Sequence, residues 1–511
     1  MTTSKSPVTG DHRPRRRRSN SNASGRLSDR PDRPVALLRL AAPAALVGMF
    51  AGCARAERPG GPVDFVPYQF ISAAGDTVAA ELGHLRVSEN RLAPDSRTIE
   101  LALVRFRSTA EQPGDPIVFL AGGPGSSGIQ AARGDRFPAF MALRAAGDVI
   151  ALDQRGTGRS RPNLACPEKF EQPRHAPLVQ DSAARRFREA AASCARYWRR
   201  RGADLAGYNV ESSADDLEAL RLALDAPRLV LWGVSYGTHL ALATMRRHPS
   251  LASRAILAGV VGPDDSWKPR KAFVGQLQTA ASMVPPDSLD DPPSVPLAEL
   301  LRTVVGRLDA DPVWVPVPHG VPTAERAAGP DSIVITGYDF LGLVMNLLAD
   351  AGQLATVPPL IERAARGDLR EAGQRIARNR GAYSIGSAMG YATLCASGAS
   401  AEQRKRIAQA AAVSVFGSGL TGDALACDVW GARDLGEAFR QPVRSDIPTL
   451  LISGSLDVTT PIADAVAALA GLSRGRQLVV EGASHGDALV ATPTVIGEMV
   501  AFLRGEREPS R

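Results

Sequence analysis

Between residues 97 and 262, short apolar runs alternate with longer amphipathic ones. RTIELALVRF and DPIVFLA predict strands, and DVIALD predicts a strand buried on both faces. SSADDLEALRLALD predicts a helix, followed by two more strands, RLVLWGVS and RAILAGV. Short apolar strands separated by helices imply a parallel sheet covered on both faces. Ser212 and Ser213 are the expected caps of the helix, and Asp215 and Asp216 suit the positive end of its dipole.

The rhythm breaks after Asp264. Residues 271–440 are Ala-rich, mostly helical in pattern, and broken by the Pro clusters VPPDSLDDPPSVP and VWVPVPHGVP. Strand patterns return at IPTLLISGS and RGRQLVVEGAS. The chain has 511 residues, long for one simple domain. The expected organisation is a sheet-based core in two parts, 57–270 and 441–511, interrupted by a largely helical insertion over 271–440. No internal repeat is visible.

Charge changes the picture only at the start of the chain. Residues 1–52 hold ten Lys/Arg and three Asp/Glu, which is the whole of the net +7. The remainder is neutral, so a nucleic-acid partner is not expected, since it would need a basic face on the folded part. Residues 1–56 read as a basic, Ser-rich leader followed by the apolar stretch LAAPAALVGMFAGC. That stretch is too short to span a bilayer and suits a signal peptide better than a buried core helix. FAGC offers a lipidation site at Cys53, although Phe50 stands where Leu is usual; Ala54-Arg55-Ala56 offers ordinary cleavage instead. The expected location is therefore outside the cytoplasm, either lipid-anchored in the cell envelope or secreted. Any membrane association would run through that anchor alone.

Four cysteines remain: Cys166, Cys194, Cys395 and Cys427. They allow three connectivities, of which Cys166–Cys194 with Cys395–Cys427 is the local one; four buried thiols are the alternative. An oxidising compartment permits disulfides. No C-x-x-C or His/Cys cluster has metal-ligand spacing, so no metal site is expected.

The chemistry centres on Gly233-Val234-Ser235-Tyr236-Gly237. RLVLW precedes it and THLALATMRR follows. A serine at the tip of such a strand–turn–helix has its hydroxyl exposed above the sheet, and the flanking glycines let helix and strand pack closely. The alternative is a Gly-rich turn that merely packs well. A serine nucleophile needs a base to take its proton and an acid to orient the base. In the strand–elbow–helix arrangement, the acid and then the histidine follow in chain order. Of seven histidines, His12 lies in the leader, and His84, His175 and His319 lie before the elbow or in loops. His239 and His248 fall on the elbow helix and read as structural. His485, in VVEGASHGD, is the expected base. Asp457, in LLISGSLDVTTP, is the expected acid; Asp487 competes but lies too near His485 in sequence. A tetrahedral intermediate needs N–H donors for its oxyanion. The N–H of Tyr236 is one candidate, and the loop AGGPGSSG, with Gly122, Gly123 and Pro124, supplies the other. A phosphate loop is excluded because no Lys-Ser/Thr follows these glycines.

GGPGSSG, DQRGTGRS, GVSYGTHLA, SGSLDVTTP and GASHG stand in the order found in the α/β-hydrolase family of proline iminopeptidases, which this sequence resembles over roughly residues 95–505. NLACPEKF, Cys194 and LACDVW are similar to the secreted bacterial tripeptidyl aminopeptidases. The resemblance implies an α/β-hydrolase fold, with a mostly parallel central sheet and an inserted helical cap. It implies a serine exopeptidase that needs no cofactor and acts on peptides; an esterase or amidase on small ester or amide substrates is the alternative, motivated by the missing acid after Cys395. Matched to the motifs, Ser235, Asp457 and His485 are the triad, and Gly123 and Tyr236 form the oxyanion hole. In DQRGTGRS, Asp153 and Arg155 read as ties that hold the loop to its neighbours. These peptidases must also grip a free α-amino group, and a carboxylate just after the first cap cysteine is usual in the family. Here the stretch is Cys395-Ala396-Ser397-Gly398, without an acid. Asp339, Glu362, Asp368 and Asp428 are the other cap carboxylates that could serve. The oligomeric state is not legible.

Overall fold

The computed structural model describes residues 61, 63–284, 295–317, 332–380, 382–419, 421–486 and 489–506. The leader with Cys53, the loop histidine His319 and the competing acid Asp487 all lie outside the described residues.

Thirteen strands are present among the described residues. In chain order they are β1 (Val66–Ile71), β2 (Thr77–Ser88), β3 (Thr98–Phe106), β4 (Gly114–Leu120), β5 (Gly147–Leu152), β6 (Lys169–Glu171), β7 (Leu229–Val234), β8 (Ala252–Ala258), β9 (Val313–Pro316), β10 (Ser332–Ile335), β11 (Ala382–Ser384), β12 (Thr449–Gly454) and β13 (Gly475–Val480). Nine of them form one sheet in the order β1-β2-β3-β5-β4-β7-β8-β12-β13. From β5 to β13 all neighbours run parallel; β1, β2 and β3 are an antiparallel extension at one edge. Of these nine the sequence pattern marks all but β1 and β2, and it also passes over the short strands β6, β9, β10 and β11. The far face of β1 and β2 is open to solvent, so polar residues such as His84 and Arg86 alternate with the buried Leu85 and Val87.

The alternation along β7 shows how the sheet is buried. Leu229 and Leu231 face the helices Val210–Ala223 and Tyr236–Arg247. Val230 and Trp232 face the opposite layer, formed by Gly128–Arg133, Phe137–Leu143 and Pro493–Leu503. There Trp232, Phe119 and Phe140 pack edge-on or tilted within 5.0 Å of one another. With every residue of β7 and β12 buried, these strands read as apolar runs rather than alternating ones.

One local expectation is corrected. The helix starts at Val210, and its cap is Asn209, whose side chain accepts from the N–H of Ser212. Ser212 and Ser213 lie inside the first turn. Asp216 is not an exposed dipole partner but a buried acid held by Arg155 and Arg91.

The insertion contains the helices Ala272–Ser282, Leu297–Ala310, Gly337–Leu348, Val357–Ala365 and Arg370–Asn379, which share one apolar cluster with the hairpin β9–β10. A second cluster joins the helix Ala388–Ser397 and Trp430 to the long helix Gln180–Arg200. The insertion's core thus draws on a segment that precedes the elbow, and β6 pairs with β11 across the same junction. Cys166–Cys194 and Cys395–Cys427 are bridged as disulfides within or beside this cluster.

Candidate active site

The three parallel strands β7, β12 and β13 each end in a loop that carries one of the expected residues. Ser235 follows β7 with φ 56° and ψ −125°, a strained backbone for a residue with a side chain. The turn exists because its neighbours have no side chains. A Cβ on Gly233 would lie 2.5 Å from the carbonyl oxygen of Gly237, and one on Gly237 would lie 1.9 Å from that of Leu120. At these two glycines the elbow helix meets β7 and β4 backbone to backbone. Thr238 ties the turn by accepting from the N–H of Val261 and donating to the Ser235 carbonyl.

His485 follows β13, and its Nε2 stands 3.1 Å from Ser235 Oγ. Its Nδ1 stands 2.9 Å from Asp457 Oδ2. Asp457 follows β12, and its side chain is fully shielded. Its Oδ1 accepts from the N–H groups of Thr459 and Thr460, and its Oδ2 from the Thr460 hydroxyl. Burial pushes this carboxyl up, but the hydrogen bonds from His485 and Thr460 outweigh burial and hold it below its ordinary value. The carboxylate is therefore ionised and fixed in direction, which sets the imidazole to accept at Nε2. Thr459 and Thr460, the two residues that follow Val458, both turn onto Asp457.

The GGPG loop lies against the serine. A Cβ on Gly122 would sit 2.9 Å from that of Ser235, and Gly123 adopts φ +108°, a backbone open to glycine alone at little strain. Tyr236 is the first residue of the elbow helix, a position whose N–H has no intrahelical acceptor. The DQRG loop is a scaffold for this one. Asp153 accepts from Ser127, Ile129 and Arg159. Gln154 donates to the Ala121 carbonyl, next to Gly122. Arg155 is wholly buried and binds Asp216 through two nitrogens, plus the carbonyls of Glu89 and Gly207.

The remaining histidines of the elbow helix have structural partners. His248 reaches Asp215, and the buried His239 bridges the Gly262 carbonyl and Ser397. Of the cap carboxylates, Asp339 is buried against Arg380, Asp368 pairs with Arg370, and Asp428 pairs with Arg188. Glu362 is buried within the insertion. No helix among the described residues is long and apolar enough to cross a membrane.

The sheet order and the elbow are those of an α/β hydrolase. Residues 115–303 match a family model described as alpha/beta hydrolase fold, and residues 413–511 match one described as TAP-like protein. The chain has the α/β-hydrolase fold. It is 31% identical over 255 residues to the serine protease Hip1 of Mycobacterium tuberculosis, covering 47% of this chain and 49% of that protein. It is 30% identical over 208 residues to the tripeptidyl aminopeptidase of Streptomyces coelicolor, covering 37% of this chain and 36% of that one. The chain thus spans about half the length, or less, of the curated relatives it matches. The solved structure of the proline iminopeptidase of Mycobacterium smegmatis aligns at 15% identity over 83% of this chain and 98% of that one, with a TM-score of 0.38. The names of the two curated relatives agree with the resemblance read from the motifs.

Proposed function

We propose that the chain is an exported serine peptidase that releases N-terminal residues or short peptides through an acyl-enzyme on Ser235. The carrying observation is the unbroken line from Ser235 Oγ through the His485 ring to Asp457, at 3.1 and 2.9 Å. His485 takes the proton of Ser235 as its oxygen attacks the carbonyl. The N–H groups of Gly123 and Tyr236 receive the developing negative charge. His485 then protonates the leaving amine, and water repeats the sequence on the acyl-enzyme. The relatives' names support peptidase chemistry, and the two disulfides support an oxidising location.

A second reading, an esterase or amidase on small substrates, is favoured by one observation. The stretch after Cys395 has no acid, and Asp339, Asp368 and Asp428 are each paired with an arginine. A fluorophosphonate probe should label the wild type and leave Ser235→Ala unlabelled, with kcat reduced by several orders of magnitude. Equal labelling of both proteins refutes the assignment. Tripeptidyl and aminoacyl coumarins, each with a free or acetylated N-terminus, separate the readings. A demand for the free amine supports the peptidase, and indifference to acetylation supports the esterase or amidase.

A further inference from the structure

The helix Ala388–Ser397 belongs by sequence to the insertion, but it is built into the active site. Its sequence, AMGYATLCAS, has no charged residue, and eight of its ten positions are buried. It touches the loops that surround Ser235 on several sides. A Cβ on Gly390 would lie 2.6 Å from the carbonyl oxygen of Pro124, and one on Gly125 would lie 3.2 Å from the Cβ of Ser387. Met389 packs on the DQRG loop, where a Cβ on Gly156 would come within 2.9 Å of it. At the other end, Ser397 meets His239 of the elbow helix at 3.1 Å, and the Leu394 carbonyl accepts from Trp267 of the loop after β8. The GGPG loop is therefore held from two sides, by Ser235 through Gly122 and by the helix through Gly390.

We propose that this helix is a fixed brace for the oxyanion loop, and that Gly390 is a positioning residue whose missing side chain sets where the Gly123 N–H points. The proposal rests on the reading of Ser235 as the nucleophile. The physical reason is the tolerance of such sites. Backbone in contact with backbone has no side chain to swing aside, so a methyl at Gly390 must displace Pro124 and the donor beside it. A shift of about 1 Å in a donor aimed at a developing charge is enough to cost one to two orders of magnitude in rate.

The test is Gly390→Ala, with Gly306→Ala as the control. Gly306 lies on another insertion helix, with open space where its Cβ would be. The proposal expects Gly390→Ala to lower kcat tenfold or more with KM within twofold, while Gly306→Ala behaves as wild type. A peptide aldehyde, whose adduct with Ser235 carries the same oxyanion, should lose affinity for Gly390→Ala by the factor lost in kcat/KM. A merely structural role would lower the melting temperature without that parallel. An unchanged kcat, or a loss confined to KM, overturns the brace. Should Gly390→Ala fail to fold, Met389→Ala keeps the question open to refutation. It removes support from the same helical turn without a clash, and kcat should fall at least threefold at constant KM; no fall overturns the proposal. Wild type that neither turns over nor labels at Ser235 refutes the nucleophile assignment, whereas a labelled, active wild type with an indifferent Gly390→Ala refutes the brace alone.

Discussion

Burial moves two ionisable groups near the elbow helix in opposite directions. His239 is held down to about 4, because its buried ring disfavours the charged form and Lys268 and Arg246 repel it. Asp265, in the loop after β8, is pushed up to about 6, by burial first and by the neighbouring Asp464 second, with Lys268 pulling it back. The signs follow from proton uptake. Unfolded His239 binds a proton that the folded ring refuses, so its contribution to stability is full above about 6.5 and declines as pH falls towards 4. Folded Asp265 keeps a proton that the unfolded chain releases, so its contribution is full below about 3.8 and is lost as pH rises through about 6. The two nearly offset each other over one window. Asp265→Asn removes one of them. Relative to wild type, the variant should therefore gain on the order of 1–2 kcal/mol between pH 4 and pH 6.5. Thermal unfolding of both proteins across that range gives the difference, and a difference that does not change with pH contradicts the assignment of Asp265. None of this was legible in the sequence, where His239 was only a histidine on a helix. The partners that fix its state, Gly262 and Ser397, lie 23 and 158 residues away.

At the scale of elements, the strands that could be read were those buried on both faces. LVLWGV and TLLISG have one composition throughout because both faces of each strand are covered. The elbow was legible for the same kind of reason: backbone-on-backbone contact demands glycine at fixed places. Helix boundaries were less so, since a serine can cap a helix or sit in its first turn. Asn209→Ala should cost about 1 kcal/mol of stability, whereas Ser212→Ala should cost clearly less, because only Asn209 accepts from an orphan N–H of the helix. Urea titration of the two variants measures this, and the reverse order would restore the serine cap. The helix Ala388–Ser397 carried a signal that the reading left unused. A helix apolar on all sides is a buried one, and AMGYATLCAS stands out between REAGQRIARN and AEQRKRIAQAAAV, both studded with charge.

For the whole molecule, that buried helix decides whether core and insertion are separate bodies. A cap hinged on two linkers would contact the core through a thin, largely polar seam and would unfold by itself. Here the seam is threaded. The segment Gln180–Arg200 comes from before the elbow and packs within the insertion's second cluster, and both disulfides lie within or beside that cluster. Ala388–Ser397 in turn packs on the loops of the sheet. Removing either part would expose apolar surface of the other, so the two should unfold together. Trp232→Phe makes this measurable. The four remaining tryptophans, Trp198, Trp267, Trp314 and Trp430, lie in the insertion or against its clusters, whereas far-ultraviolet circular dichroism reports the whole chain. The two signals should trace one coincident urea transition. A tryptophan transition that completes at lower urea than the dichroism would mean that the insertion melts from an intact sheet. In that case the GGPG loop would lose its outer wall while Ser235, His485 and Asp457 still stood in register.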